Sequence, residues 1–154
     1  MTIVSNTTPL IKLAKINLLD LIQKIFNKIN IPSAVYFEIT NFNAPGSHEV
    51  KTFDWIIHQK ISDQNLSIAL QKEIDKGEAE AIILALELKA DLLIIDEKKG
   101  RALASDFGIE KIGTIGLLRI AKDKKIISTI KPYLDQLIHD AGFWIDPKLY
   151  RDIR

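Results

Sequence analysis

The sequence predicts an α/β protein built on an open parallel sheet with helices on both faces. Short, wholly apolar runs of the kind that make buried parallel strands recur along the chain, as in Ile3-Val4 and Leu92-Leu93-Ile94-Ile95. Stretches with apolar residues at helical spacing lie between them, as in Ala81, Leu84, Ala85 and Leu88. Strand and helix alternate along most of the chain, which favours parallel units over hairpins and leaves the strand order open.

The elements follow in order. Ile3-Val4 is a first strand, and Ser5-Asn6-Thr7-Thr8-Pro9 turns into a helix, with Thr8 suited to the cap and Pro9 to the first turn. Leu10 to Ile25 give one helical face, interrupted near Asn17. Ile29–Pro32 is a second strand, and Ser33 starts a helix that carries Glu38. Asn41–Ser47 reads as a loop and Ser47 as the start of a short helix. Trp55–Ile61 reads as extended and Asn65–Asp75 as helical. Gly77 opens the long helix that runs to Leu88. After the strand Leu92–Ile95 come a helix over Lys98–Asp106, a strand over Ile109–Ile112 and a helix from Thr114. A helix from Ser128 to Gly142 tolerates Pro132 only near its first turn, and Asp146-Pro147 starts a last short one.

Composition narrows the class. At 154 residues a single domain, 1–154, is expected, with room for a real core. A net charge of +1 gives no global basic footprint, so nucleic-acid binding must come from a local patch. With no cysteine, disulfides and thiolate metal sites are excluded. No apolar run reaches the ~18 residues of a membrane span, so a soluble, cytoplasmic protein is the expectation. There is no phosphate loop after Gly113-Thr114-Ile115-Gly116 and no nucleophile elbow.

Site-like side chains stand at four places: Asn6, Glu38, the pair Glu78 and Glu80, and the pair Asp96 and Glu97. Asn6 and Asp96 follow strands, where open α/β sheets bind ligands. Oxygen-only donors favour magnesium or manganese, which can activate water for attack on a phosphodiester. Lys98, Lys99 and Arg101 follow Asp96 directly and suit a nucleic-acid backbone. Each piece also has a plainer reading. Glu78 and Glu80 suit the positive end of a helix, Asp96 suits a cap, and the lysines suit a solvated face. Trp144 and Tyr150 have rings that stack on bases, but packing of the C-terminal segment is the simpler reading. His48, His58 and His139 show no ligand spacing. A regulatory domain modified at Asp96 would group acids after its first strand, where this chain has Ser5-Asn6-Thr7-Thr8-Pro9.

In combination, four blocks carry a resemblance: Ser5–Ile11, Ile31–Ile39, Gly77–Ile82 and Ile94–Arg101, continued by Gly113–Leu118 and Ala121-Lys122. In order and spacing they resemble the successive blocks of PIN domains, over nearly the whole chain. The resemblance implies a three-layer α/β/α sandwich with a central parallel sheet. It also implies ribonuclease activity dependent on Mg2+ or Mn2+, and many relatives are toxins silenced by a small antitoxin. By position, Glu38, Glu80 and Asp96 match the family's acidic ligands, Glu97 an auxiliary acid, Glu78 a weaker one and Thr8 a supporting hydroxyl. Asn6 stands where the family has aspartate, so weakened or absent cleavage is implied, with a non-catalytic RNA- or protein-binding module as the alternative. The side chains of Asn6, Glu38, Glu80 and Asp96 are expected to share one pocket. A homodimer, RNA binding and an antitoxin partner are expected as well.

Overall fold

The computed structural model describes residues 1–154. Its strands are β1 (Ile3–Ser5), β2 (Ile29–Pro32), β3 (Ile56–Gln59), β4 (Leu92–Ile94) and β5 (Lys111–Ile112). All pairings are parallel, in the order β3-β2-β1-β4-β5. The register of the central pair sets Ile3 opposite Leu92 and Ser5 opposite Ile94.

The helices are α1 (Thr7–Lys15), α2 (Asp20–Phe26), α3 (Ser33–Asn41), α4 (Ser47–Thr52), α5 (Gln64–Leu70), α6 (Lys76–Leu88), α7 (Lys98–Asp106), α8 (Thr114–Asp123), α9 (Lys131–Ala141) and α10 (Pro147–Asp152). Strand residues point alternately to the two faces, and the core divides accordingly. Ile3 and Ile94 pack with Leu10 and Leu13 of α1 and Leu117 of α8. Val4, Leu93 and Ile95 pack with α6 and with Ala104 of α7. A further cluster joins α2, α8 and α9 through Leu21, Leu118, Leu134 and Leu137, and closes on Ile153. The result is the expected α/β/α layering.

The helix α6 is central to one layer. Every residue from Gly77 to Ala85 is buried, so it is apolar around most of its circumference. Its start is fixed by a reciprocal cap. Asp75 Oδ1 accepts the Glu78 N–H at 2.8 Å, and Glu78 Oε2 accepts the Asp75 N–H at 3.2 Å.

Several boundaries differ from those read in the sequence. The first helix begins at Thr7, so Thr8 is inside it and Asn6 holds the cap position without a side-chain cap bond. It breaks where expected, at Asn17, whose φ of 56° is left-handed. The helix read over 65–75 covers Gln64–Leu70, and α9 starts at Lys131, with Pro132 in its first turn. No helix is long and apolar enough to cross a membrane.

Candidate active site

The strand order reverses beside β1: the chain leaves β1 toward β2, and leaves β4 toward β5 on the other side. The crevice outside the carboxyl ends of β1 and β4 is therefore the topological switch point, where such sheets bind ligands. Asn6 and Asp96 flank it. Asn6 remains extended (φ −80°, ψ 172°) and donates its N–H to the Ile94 carbonyl at 2.9 Å. Alternation carries it to the face of Val4, the face that α6 covers. Its side chain is buried, and Oδ1 has no hydrogen-bond partner.

Carboxylates gather on the α6 side. Glu38, half-buried on α3, accepts the Thr7 hydroxyl on Oε2 at 2.6 Å. It lies against the start of α6 so closely that a Cβ at Gly77 would come within 2.6 Å of its Oε1. Burial pushes the Glu38 carboxyl above its ordinary value, opposed by the bonds from Thr7 and Gly77 and assisted by the charges of Asp75 and Glu80. Glu78 is 6 % exposed, and its Oε1 has no partner. Burial first, and then the charge of Asp75, with a smaller part from Glu97, push its carboxyl up to about 7. Both acids sit where a proton or a cation would relieve them.

Glu80 has a different situation. It is buried, and its Oε1 accepts the Ala34 N–H at 3.0 Å, in the first turn of α3. A carboxylate there satisfies one of the helix's free N–H groups and meets its positive end. Glu80 faces a hollow shared with Ser33, Phe37 and His58, not with Asp96. His58 is held there by Ser33 Oγ at 2.8 Å and stacks on Tyr36 at 4.4 Å between ring centroids.

Asp96 turns toward α8. Its Oδ1 accepts the Thr114 N–H at 2.7 Å and its Oδ2 the Thr114 hydroxyl at 2.6 Å. It therefore meets the N-terminus of α8 rather than capping α7, the helix that follows it in sequence; Glu97 has the cap position of α7. Beside Asp96 opens a hollow of about 650 Å³, shared with Thr8, Glu97 and Arg101. Arg101 donates from Nη1 to the Ile95 carbonyl at 2.9 Å.

The acids at the carboxyl edge of the sheet are thus engaged by different elements. Thr7 holds Glu38, the first turn of α3 holds Glu80 and Thr114 holds Asp96, while Thr8 and Glu97 line the hollow beside Asp96. The basic patch divides too. Arg101 faces the Asp96 hollow, whereas Lys98 is exposed and Lys99 lines a separate hollow with Lys72 and Asp106. The cations that join Arg101 are Lys12, Lys111 and Arg119, which lie on three other elements. Residues so far apart in sequence offered no local signal. Trp144 also reverses its expectation: it lines this hollow and is 77 % exposed.

No three histidine, aspartate or glutamate side chains assemble closely enough to hold a metal ion. The donor chemistry still fits a hard divalent cation. The available atoms are all oxygens, and two of them, Asn6 Oδ1 and Glu78 Oε1, are buried without a partner.

The fold is shared with a solved structure. A PilT N-terminus domain protein from the hyperthermophilic archaeon Sulfolobus solfataricus P2 superposes with a TM-score of 0.61 at 22% identity, over 77% of this chain and 92% of that one. At that identity the likeness concerns the fold. No curated protein matches the chain. A family model described as PIN domain matches residues 2–154. The chain therefore belongs to the PIN-domain family, with its nuclease-type fold.

Proposed function

We propose that the chain is a PIN-type ribonuclease that uses Mg2+ or Mn2+ to hydrolyse phosphodiester bonds and is weakened by Asn6. The observation that carries this reading is that two oxygens are buried without a partner, Asn6 Oδ1 at the end of β1 and Glu78 Oε1 beside Gly100 at the start of α7. A buried acceptor left unpaired costs about 1–3 kcal/mol, so each calls for a donor or a cation. Asn6, Glu38, Glu78 and Asp96 are the residues that would hold the ion; Glu78 is preferred to Glu80 because its Oε1 is buried without a partner, whereas Glu80 Oε1 accepts from the Ala34 N–H. When bound, such an ion supplies a Lewis acid that activates water and stabilises the leaving oxygen. The chain's own residues set the geometry. Thr7 orients Glu38, and Thr114 orients Asp96. Arg101 and Lys12 stand where a phosphate beside Asp96 would meet them.

The wider reading is of a toxin that acts in the cytoplasm as a homodimer and is silenced by a small antitoxin, in line with the family resemblance. Light scattering on the purified chain should give a dimer; a strict monomer at high concentration would remove that part. Metal binding has its own test. Manganese titrated calorimetrically should bind the chain weakly, bind Asn6→Asp more tightly and fail to bind Glu78→Gln. Equal binding by all three would contradict the assigned donors.

A further inference from the structure

We propose that Trp144 is a stacking platform for one base of a single-stranded RNA whose phosphates occupy the hollow beside Asp96. The inference rests on the ribonuclease reading and adds a positioning residue that none of the acids provides. The first support is charge. Lys12, Arg101, Lys111 and Arg119 all line the hollow. None has a carboxylate within salt-bridge distance, since the molecule's only salt bridge joins Lys24 and Asp20. Against them stand Asp96, with both oxygens engaged by Thr114, and Glu97. Four unpaired cations around two acids suit a polyanion, and a nucleic-acid backbone presents its charge in such a series.

The second support is the way Trp144 is presented. It lies between α9 and α10, in a segment pinned on both sides. Lys12 Nζ donates to the Ala141 carbonyl at 3.1 Å and lies 5.6 Å from the centroid of the Phe143 ring. Beyond it, Tyr150 donates its hydroxyl to Asp135 at 2.6 Å, and Ile153 is buried in the core. Phe143 is thereby drawn inward while Trp144, its neighbour, remains 77 % exposed on the rim. Exposed aromatic rings beside a cationic groove are how single strands are held without base-specific hydrogen bonds. Unpaired bases are what RNA offers for such stacking. An apolar protein partner would suit Trp144 but not the cations around it.

Fluorescence isolates the ring. The chain has two tryptophans, and Trp55 is buried, so solvent-exposed emission comes from Trp144. The full chain is titrated in EDTA, where cleavage plays no part, with a mixed-sequence single-stranded oligoribonucleotide and with an abasic ribose-phosphate oligomer of equal length. The RNA should quench the exposed emission and protect it from acrylamide; the abasic oligomer should bind more weakly and leave it unchanged. Trp144→Ala should weaken RNA binding about tenfold or more without changing its salt slope, and Trp144→Phe should restore most of the loss. Lys111→Ala or Arg119→Ala should instead flatten the slope by about one phosphate contact each. Equal affinity for RNA and the abasic oligomer, or unchanged RNA affinity in Trp144→Ala, would overturn the proposal. So would a Trp144→Ala variant that only loses self-association in light scattering. Trp144-dependent RNA binding with no metal-dependent cleavage even by Asn6→Asp would overturn the ribonuclease reading and leave this one standing.

Discussion

Thr114 holds both oxygens of Asp96, donating its backbone N–H at 2.7 Å and its hydroxyl at 2.6 Å. The residue is fully buried, and the two bonds tie the end of β4 to the first residue of α8. Hydrogen bonds to a charged group contribute about 1.5–3 kcal/mol each. Thr114→Val keeps the side-chain shape and the N–H but removes the hydroxyl donor. Urea unfolding of this variant should show a loss of about 1.5–3 kcal/mol. An unchanged midpoint would mean that the carboxylate finds an equivalent donor.

Glu78 and Glu80, two positions apart on α6, should behave differently. Glu80→Ala leaves the Ala34 N–H without its acceptor and should cost about 1–3 kcal/mol of stability. Glu80→Gln keeps an acceptor and should lose less. Glu78→Gln removes a charge that burial and Asp75 both oppose, so its stability near pH 8 should equal or exceed that of the parent. Its RNA cleavage, measured in the Asn6→Asp background, should disappear. If Glu80→Gln abolishes cleavage at full stability while Glu78→Gln does not, the acid assignment is reversed.

The same carboxyls set a pH dependence. In the folded chain Glu78 titrates near 7, against an ordinary value of 4.5, and Glu38 is also raised. The folded state therefore binds these protons more tightly than the unfolded one, and unfolding releases them between those values. Stability should be greatest below pH 4.5 as far as these groups are concerned, and should fall as pH rises through 7. Thermal unfolding in metal-free buffer from pH 5 to 8 should show the midpoint falling, and Glu78→Gln should flatten the slope. A midpoint that rises over that window, or one unaffected by the substitution, would contradict the assignment.

Much of this arrangement was legible in the chain because its causes are local. The apolar run at Leu92–Ile94 makes a strand, Pro132 marks a first helical turn, and Asn17 breaks the first helix because it adopts a left-handed backbone. Placing Asn6 and Asp96 at strand ends needed no more than that. What escaped the sequence depends on partners far along the chain. Glu80 is engaged by Ala34, 46 positions away, and Asp96 by Thr114, 18 positions away. A carboxylate's neighbours decide whether it is a ligand or a structural acceptor, and spacing alone does not name them. The local run Lys98-Lys99-Arg101 suggested a basic patch, yet a helix points successive residues in different directions. The cations beside Arg101 come from α1, β5 and α8.

The most direct measurement is cleavage of a mixed RNA pool by Asn6→Asp and by the parent chain, purified identically, in magnesium and in manganese. Aspartate restores a charged oxygen where the Asn6 amide now leaves Oδ1 buried and unpartnered. Affinity for hard cations is tuned by ligand charge, and a misplacement of about 1 Å can cost about a hundredfold in rate. Weak or undetectable cleavage is expected from the parent and a gain of at least about tenfold from Asn6→Asp. Chelation should abolish that gain, as should adding Asp96→Asn, which excludes a contaminating nuclease. Asn6→Asp cleaving no better than the parent, with either metal, would contradict the reading of this chain as a ribonuclease limited by its missing carboxylate.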